Sequence, residues 1–558
     1  MLQIPTHAPA TAPPPTLLAW PAGRSVATSP EAAATRGGQR RPSLWIVAAV
    51  FIVLVGLQLF YWTGSIASDD LLYLEAARHP PTGPGADHAD FRQLGARFLV
   101  WGPLRLLTAL WPTHWQVLLV IPLLSAASSL VLVGVAVQRW LDRPAALLAM
   151  VGLGLVPQFV IAATVTLPDV VATPFVLGGL LLIAGPLISD RTPGRSASPG
   201  SFLGGLILAA GYNAKEPAIL VLPAVTLFVL WRRRNRHQAR RCLLWAWIGA
   251  GLWLGVEAAW FAWSVGDPLH HLHAIAAGHR AYESPLPDQP SAAQVLWYLT
   301  DYLRWLADPR GPYGPLGPVF LLAVIHGFVA PTELTRLLLC VVVVVGGYLS
   351  AGTADLLNYL PIYHQPRYLI PLLPLMAALA ARMVQQLWTR GGARRFAVAT
   401  AAGVLIPVAL LAPNAQAGRW YRASDFHAAR HIVHQMDGRW SVRDRVIVSP
   451  DAYLRLKPLM ESANSPRLEP LHSPPRSTRE WLERFAGCFV WVLHRDRHPP
   501  AGAESVHLGS ASCQALTAFA RAAMARPPAS RLQSALSTLG LSPPSTRPYG
   551  QVELYRIE

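Results

Sequence analysis

Lysine is almost absent from this chain of 558 residues, and charge of either sign is scarce. Charged residues make up 14% of the sequence, and of its 47 basic residues only Lys215 and Lys457 are lysines. Hydrophobic residues make up 52%, and the mean hydropathy is positive, at +0.32. So apolar a composition, with so few charges, predicts a protein embedded in a membrane.

Apolar stretches of about 17–25 residues, the length that crosses a bilayer, recur along the chain. They lie at 44–62, 115–138, 145–163, 170–188, 242–265, 315–330, 337–351, 368–388 and 396–412. The first has an apolar core of about 19 residues, longer than the 7–15 of a cleaved signal peptide, which favours an uncleaved anchor. The fold class expected is an all-α polytopic membrane protein.

Arginines fall mainly in the short loops between alternate stretches, and they orient the protein. The net charge of +17 therefore reflects topology and does not indicate nucleic-acid binding. The loops so marked as cytoplasmic carry Arg40 and Arg41, Arg139 and Arg143, Arg191 and Arg195, the basic run 231–241, and Arg390 with Arg394 and Arg395. The segments that then face outward are 63–114, 164–169, 266–314 and 352–367. We expect a plasma (inner) membrane protein with a cytoplasmic N-terminus.

The apolar segment 201–231 is long enough for one span or for two short ones. One span would place the arginine-rich loop at 231–241 outside, against the positive-inside rule. Two short spans that meet near Gly211–Pro217 keep both flanking loops inside. The sequence therefore predicts about eleven spans, with Lys215 at the outer membrane face.

Three regions are expected. Residues 1–43, rich in Pro, Ala, Thr and Ser, predict a disordered cytoplasmic tail. Residues 44–412 form the transmembrane domain, with interfacial helices on the outer side at 71–113. Residues 413–558 predict a soluble extracytoplasmic α/β domain, with strands near 446–449, 489–493 and 552–557 and a helix starting near Cys513. Cys488 and Cys513 both lie in this domain, where either a disulfide or a buried core thiol fits the sequence.

An acidic pair, Asp69-Asp70, follows the first span. Two carboxylates at a membrane boundary are costly unless they are solvated or functional. On a helix they share a face with Tyr73, four and three residues further on. The alternative is a solvated helix start, because acids are favourable in the first turn of a helix.

Polar residues also mark three other outward segments. Asp169 lies at the tip of a short hairpin, where a helix-start acid is the alternative. Lys215 suits a phosphate ligand, because lysine carries a compact charge on a flexible stem; a snorkelling lysine beside Glu216 is the alternative. The segment 359–374 presents Tyr363, His364 and Arg367, which an interfacial aromatic belt would also contain. Their common side of the membrane favours a site.

These motifs, taken in order, resemble the membrane glycosyltransferases of the C superfamily. The motifs are Asp-Asp-x-x-Tyr after the first span, Pro-Asp before the fourth, Gly-x-x-x-Lys-x-Pro in the split hairpin, and Arg-Tyr-Leu-x-Pro-x-x-Pro before the tenth. The resemblance covers about 44–412 and is closest to the protein mannosyltransferase and lipid A aminoarabinose transferase branch. That family usually has Asp-Glu where this chain has Asp69-Asp70. The resemblance therefore does not define the role of the second, shorter acid, Asp70.

The resemblance implies an enzyme that moves a sugar from a polyprenyl-phosphate carrier to a lipid, glycan or protein acceptor on the outer membrane face, with inversion. Asp69 is then the candidate base, Asp70 supports it, and Asp169 orients the acceptor or helps to hold a divalent cation. Lys215 and Arg367, with His364 or Tyr363 as hydrogen-bond donors, would bind the departing phosphate. Some relatives need a metal and others do not, so the resemblance leaves a divalent cation open.

Two other classes of function fit a polytopic membrane protein. A transporter or lipid flippase would carry ionisable residues near the bilayer midplane and show internal repeats, whereas here the polar groups gather at the outer rim. A non-catalytic envelope protein would need fewer spans. The sequence does not identify the sugar or the acceptor.

Histidines cluster in the outward loop at 266–314, at positions 270, 271, 273 and 279. They could bind zinc, although no cysteine lies nearby and the spacing also suits an interfacial helix. Glu257, inside the seventh span, is either a functional acid or a hydrogen-bonded structural one.

Overall fold

The computed structural model describes the residues 44–60, 69–78, 94–111, 117–188, 197–231, 236–280, 286, 290–355, 359–389, 443–448, 467–470, 488–495, 516–523 and 550–557. The predicted cytoplasmic tail at 1–43 and the predicted span at 396–412 lie outside these ranges. The described part of the chain is a helical membrane domain followed by a β-sheet.

The helical part runs from α1 to α16, with two 3-10 helices that each lead directly into an α-helix. The first half comprises α1 (Leu44–Phe60), α2 (Asp69–Arg78), α3 (Phe98–Leu110), α4 (Val117–Trp140), α5 (Arg143–Gly154), α6 (Pro157–Ala162), α7 (Pro168–Ile188), α8 (Ala197–Tyr212), the first 3-10 helix (Glu216–Leu220) and α9 (Val221–Trp231). The second half comprises α10 (Arg236–Val265), α11 (His270–Arg280), α12 (Ala292–Leu299), α13 (Asp301–Ala307), α14 (Leu316–Val329), α15 (Glu333–Ala351), the second 3-10 helix (Pro366–Leu372) and α16 (Leu373–Thr389).

Five helical segments of the described residues are long and apolar enough to cross a membrane. They are Val117–Trp140, Pro168–Ile188, His237–Val265, Glu333–Ala351 and Pro366–Trp388. Shorter apolar helices of 10–17 residues accompany them at Trp45–Phe60, Phe98–Leu110, Arg143–Gly154, Glu216–Trp231 and Leu316–Val329. The protein is therefore a polytopic membrane protein, and the count of eleven spans stays a prediction.

The turn predicted near Gly211–Pro217 is present. α8 ends at Tyr212, and the backbone N–H groups of Ala214 and Lys215 both bond the carbonyl of Gly211 at 3.0 Å. Lys215 is extended, with φ −154° and ψ 127°, and Pro217 then sits in the first turn of the 3-10 helix, where its missing N–H costs nothing. The helix is therefore interrupted by a turn at Lys215, between α8 and the first 3-10 helix; the segment 211–217 is called the Lys215 hairpin below, and its two-span topology stays a prediction.

The predicted span at 145–163 is not one helix. α5 ends at Gly154 and α6 begins at Pro157, with Val156 between them extended at φ −67° and ψ 122°. A residue before proline is driven out of the helical region, and proline supplies no N–H, so the helix stops there. The apolar pattern of 145–163 predicts one continuous helix and does not indicate this break.

Glycines bring α7, α8 and α10 into backbone contact. A Cβ atom on Gly205 would lie 1.8 Å from the carbonyl oxygen of Ala246, and one on Gly249 would lie 2.0 Å from that of Phe202. Such small residues let membrane helices approach closely. This packing fixes α8, and with it the Lys215 hairpin, against α10.

The sheet of the C-terminal region has five strands: β1 (Arg445–Val448), β2 (Arg467–Pro470), β3 (Phe489–Arg495), β4 (Leu516–Ala523) and β5 (Gly550–Ile557). Their order is β2-β1-β3-β5-β4, with β1 parallel to β2 and β3, and β5 antiparallel to β3 and β4. Strands near 446, 489 and 552 were predicted and are present. The helices of the predicted α/β domain at 413–558 fall outside the described residues, so that class stays a prediction.

The predicted helix from Cys513 through Ala520 is wrong where the structure describes it. Residues Leu516–Ala523 form β4, which pairs with β5 across a bulge between Ala518 and Ala520. Pairing with a distant strand here overrides the helical preference of an alanine-rich segment. Cys488 is buried and free, and Cys513 lies outside the described residues.

Candidate active site

Asp169 lies at the centre of the site, in the first turn of α7, with no exposed surface. The loop before it is fixed by Thr166, whose hydroxyl donates to the carbonyl of Leu118 at 2.6 Å. Thr173 donates to the backbone carbonyl of Asp169 at 2.8 Å. Neither carboxylate oxygen of Asp169 has a hydrogen-bond partner among the described residues. A rigid turn thus holds a buried acid whose oxygens stay available.

Two cations flank this carboxylate from opposite segments of the chain. The ammonium nitrogen of Lys215 lies 3.8 Å from Oδ1, and Nε of Arg367 lies 3.8 Å from Oδ2. Both separations are ion-pair distances, longer than a hydrogen bond. The ring of Tyr368 lies beneath both cations, 4.0 Å from Lys215 and 5.8 Å from Arg367. Three predicted site residues, from loops far apart in sequence, therefore meet.

The three segments share a further property, because each of these charges stands where a helix begins. Asp169 is in the first turn of α7, Lys215 immediately precedes the first 3-10 helix, and Arg367 is in the first turn of the second. The unsatisfied N–H groups of a helix start carry partial positive charge. Each start also contains a proline, which has no N–H, so the two cations are what make this region attractive to an anion.

The acidic pair lies at the start of α2, which begins at Asp69. Asp70 is fully buried, and so is Tyr73 on the same helix. The predicted helix start is thus observed, but Asp70 is not solvated as that alternative expected.

Arg97 connects α2 to the lysine hairpin. Its Nη1 donates to the hydroxyl of Tyr73 at 3.0 Å, while Nη2 and Nε donate to Oε1 of Glu216 at 2.8 and 3.0 Å. The arginine is 3% exposed. Glu216, next to Lys215 in the chain, also places Oε2 4.0 Å from the lysine nitrogen. The helix that carries the acidic pair and the hairpin that carries Lys215 are therefore joined by one buried arginine.

Helix α11 is held against the hairpin by Glu257. The carboxylate of Glu257 lies 2.5 Å from Nδ1 of His271 and accepts a bond from the amide nitrogen of Asn213. The indole of Trp253 donates to the amide oxygen of Asn213 at 2.6 Å. Of the two interpretations of Glu257, the structure supports the hydrogen-bonded structural acid.

The clustered histidines have separate partners. His273 pairs with Asp267 on an exposed face, and His271 pairs with Glu257. No group of three His, Cys, Asp or Glu side chains within the described ranges could hold a metal ion. His279 is half-buried, and burial together with the charge of Lys215 lowers its pKa to about 4. Neutral at physiological pH, it belongs to the surroundings of the lysine cluster.

The remaining predicted residues lie in the segment before the second 3-10 helix. Nδ1 of His364 is 3.0 Å from Oδ2 of Asp301, and its ring stacks on Tyr298 at 3.9 Å. Burial lowers the pKa of His364 despite the neighbouring carboxylate. Tyr363 is 47% exposed. The role of both residues in binding the donor phosphate stays a prediction, whereas Tyr368, which was not singled out, contacts both cations.

The sequence indicated the charged residues of the site, but it did not indicate which residues they pair with. Tyr73 belongs to the Asp-Asp-x-x-Tyr motif, but nothing in the sequence predicts that Arg97 pairs with Glu216, which is 119 positions away. No sequence pattern indicated that Asp301 would be part of the site. A search for buried charges of opposite sign on different outward loops would have proposed the Arg97–Glu216 pair among several others.

Comparison with known proteins identifies the architecture. Residues 99–263 match the family described as dolichyl-phosphate-mannose-protein mannosyltransferase. The crystal structure of ArnT from Cupriavidus metallidurans bound to undecaprenyl phosphate is 12% identical, with a TM-score of 0.53 over 80% of this chain and 92% of that one. The apo form of ArnT is 13% identical, with a TM-score of 0.52 over 82% and 93%. Among curated protein sequences, none matches this chain.

The structural matches and the family match support different statements about this chain. The ArnT structures, at this low identity, establish the fold, and the family match covers the stretch from α3 to α10. Residues 99–263 therefore match the protein mannosyltransferase family that the motifs indicated, and the fold of the chain is that of the ArnT structures.

Proposed function

We propose that the protein is an integral-membrane glycosyltransferase that takes its sugar from a polyprenyl-phosphate carrier. The observation that carries the proposal is the pair of cations, Lys215 and Arg367, on either side of buried Asp169. Fixed cations in a partly dehydrated site stabilise the negative charge of a phosphate. The ArnT structure of the same fold is bound to undecaprenyl phosphate, which supports this choice of carrier.

Asp169 would act as the resting counter-ion of the two cations. Without donor, one carboxylate balances Lys215 and Arg367 at ion-pair distance and without hydrogen bonds. A phosphate with two or three strong acceptor oxygens is the better partner, because it can accept charge-assisted hydrogen bonds from both cations. On donor binding, Asp169 is then released to orient the acceptor.

The chemistry assigned to the site is a single displacement at the anomeric carbon. The acceptor hydroxyl or amine attacks this carbon while the bond to the phosphate oxygen breaks, and its proton passes to Asp69 as general base. The departing phosphate gains negative charge, which Lys215 and Arg367 stabilise in a site of low dielectric. Attack opposite the leaving phosphate inverts the anomeric configuration. Asp70, fully buried beside Asp69, supports the base.

A divalent cation does not fit the described residues around Asp169. A metal site needs several oxygen or nitrogen ligands of net negative charge, but this carboxylate already lies between two fixed cations. We therefore assign no step to a metal.

We place the site on the outer membrane face, with the N-terminus cytoplasmic and the region after 412 extracytoplasmic. The support is the distribution of arginines in the sequence. Cysteine accessibility at loop positions, with a membrane-impermeant reagent applied to intact cells, tests this orientation. Labelling in the 231–241 loop without permeabilisation would reverse it.

The function itself is tested by transfer from defined donors. The purified protein in lipid nanodiscs is incubated with radiolabelled sugars on undecaprenyl phosphate and with extracted membrane lipids, glycans or proteins. We expect one donor to give a labelled acceptor of inverted configuration. Translocation of the intact donor across vesicles, without cleavage of the sugar, would instead establish the alternative function of a lipid flippase.

A further inference from the structure

Glu216 is an anion placed immediately beside the proposed phosphate ligand. It follows Lys215 in the chain, its side chain is 14% exposed, and its Oε2 lies 4.0 Å from the lysine nitrogen. A carboxylate this close, in a region of low dielectric, competes with any phosphate for the same ammonium group. A donor site that keeps such an acid needs a way to prevent this competition.

Arg97 occupies the other oxygen of the same carboxylate. Two of its nitrogens, Nε and Nη2, donate hydrogen bonds to Oε1 at 3.0 and 2.8 Å. These are charge-assisted hydrogen bonds, whereas Lys215 remains beyond hydrogen-bond reach of Oε2. Glu216 is therefore held by the arginine and not by the lysine.

The arginine is itself fixed in place. It is 3% exposed, and its third donating nitrogen binds the hydroxyl of Tyr73, a fully buried residue of α2. The guanidinium fork is planar and rigid, so a contact on each side leaves it little freedom. Its position does not depend on the presence of a ligand.

We propose that Arg97 is a positioning residue that sequesters Glu216, and so keeps Lys215 available for the donor phosphate. Removing Arg97 leaves a buried carboxylate without its partner, and the nearest cation is Lys215. A rotation of Glu216 then converts the 4.0 Å contact into a hydrogen-bonded ion pair. This inference rests on the proposed function in one respect: it assumes that the ligand of Lys215 is a phosphate.

A double-mutant cycle on the affinity for undecaprenyl phosphate tests this proposal. The dissociation constant is measured for the full-length protein in nanodiscs, with the wild type, Arg97→Met, Glu216→Gln, the double variant and Lys215→Met. We expect Arg97→Met to bind about tenfold more weakly, Glu216→Gln to stay within about threefold of wild type, and the double variant to match Glu216→Gln. Restored affinity in the double variant is the specific signature of sequestration.

Arg336→Met is the matched control, because Arg336 also pairs with a glutamate, Glu333, at 3.5 Å. That pair is exposed and lies at the start of α15, outside the cluster. We expect wild-type affinity from this variant. If Arg97→Met is not recovered as a monodisperse protein, Arg97→Lys gives the same comparison, since a single ammonium cannot hold both Glu216 and Tyr73.

The outcomes separate this inference from the function on which it rests. A double variant that binds as weakly as the arginine variant alone would show that Arg97 contacts the phosphate or only supports the fold, and the inference would be wrong. Equal binding by the wild type and Lys215→Met would instead remove the phosphate role of the lysine, and with it the proposed function.

Discussion

The ammonium nitrogen of Lys215 lies 3.8 Å from Oδ1 of Asp169, a carboxylate with no exposed surface. Arg367 approaches the other oxygen at the same distance. A buried acid between two cations is a strong electrostatic arrangement, yet the carboxylate of Asp169 makes no hydrogen bond to the described residues. We propose that Asp169 is a counter-ion that the donor phosphate replaces.

Asp169→Asn is expected to destabilise the protein without abolishing its affinity for phosphate. Removal of the carboxylate takes a shared counter-ion away from Lys215 and Arg367, at a cost of about 3–5 kcal/mol. The apparent melting temperature in detergent should fall, and undecaprenyl phosphate should recover more of it in this variant than in the wild type. A variant that keeps the wild-type melting temperature would contradict the counter-ion role.

Asp69→Asn is expected to abolish sugar transfer while leaving donor binding intact. An amide cannot accept the acceptor's proton, and loss of a general base costs about 10²–10⁴-fold in rate. Single-turnover rates and the dissociation constant for undecaprenyl phosphate separate the two effects. We expect Asp70→Asn to lose less activity; a variant at Asp69 with near-normal turnover would assign the base elsewhere.

Gly249→Ala is expected to disrupt the packing of α8 on α10. The new Cβ would lie 2.0 Å from the carbonyl oxygen of Phe202, so the two helices must separate. Gly251→Ala is the matched control, because nothing lies within 4 Å of a Cβ at that position in the same helix. Thermal unfolding in detergent should show a large loss for the first variant and none for the second.

The stability of the protein is expected to fall below about pH 6.5, the ordinary pKa of histidine. Burial and the charge of Lys215 lower the pKa of His279 to about 4 in the folded protein. A group whose folded pKa is lowered stabilises the fold above its unfolded pKa, and this contribution is lost as the pH falls toward the folded value. At pH 5 the loss is about 2 kcal/mol.

The test is the difference in melting temperature between pH 7 and pH 5. His279→Gln should show a smaller difference than the wild type, although some will remain because burial also lowers the pKa of His364. His273→Gln, which alters an exposed histidine on the same helix, should behave as the wild type does. An unchanged difference in His279→Gln would mean that another group carries the effect.

The Lys215 hairpin and the charges of the site were predictable because their signals are local. Arginine distribution and the Gly211–Pro217 segment predicted the turn at Lys215, and outward placement brought Asp169, Lys215 and Arg367 into one group. The interruption at Pro157 was also readable from the sequence, since proline stops a helix, but the apolar pattern through 145–163 masked it.

Pairings between distant segments were not predictable. Arg97 with Glu216, His271 with Glu257 and His364 with Asp301 each join loops whose approach depends on how the helices pack. The same limit explains β4, since the partner strand that overrides the helical preference of Leu516–Ala523 begins at Gly550. Local propensity cannot anticipate a partner that the tertiary fold supplies.

The central claim is that Lys215 binds the phosphate of a polyprenyl-linked sugar during transfer. The most direct measurement is the release of undecaprenyl phosphate from its glycosylated form by purified wild-type protein, by Lys215→Met and by the control Arg336→Met, with an acceptor extract present. We expect release coupled to sugar transfer in the wild type and the control, and a loss of at least about 100-fold in Lys215→Met. Release at the wild-type rate by Lys215→Met would contradict it.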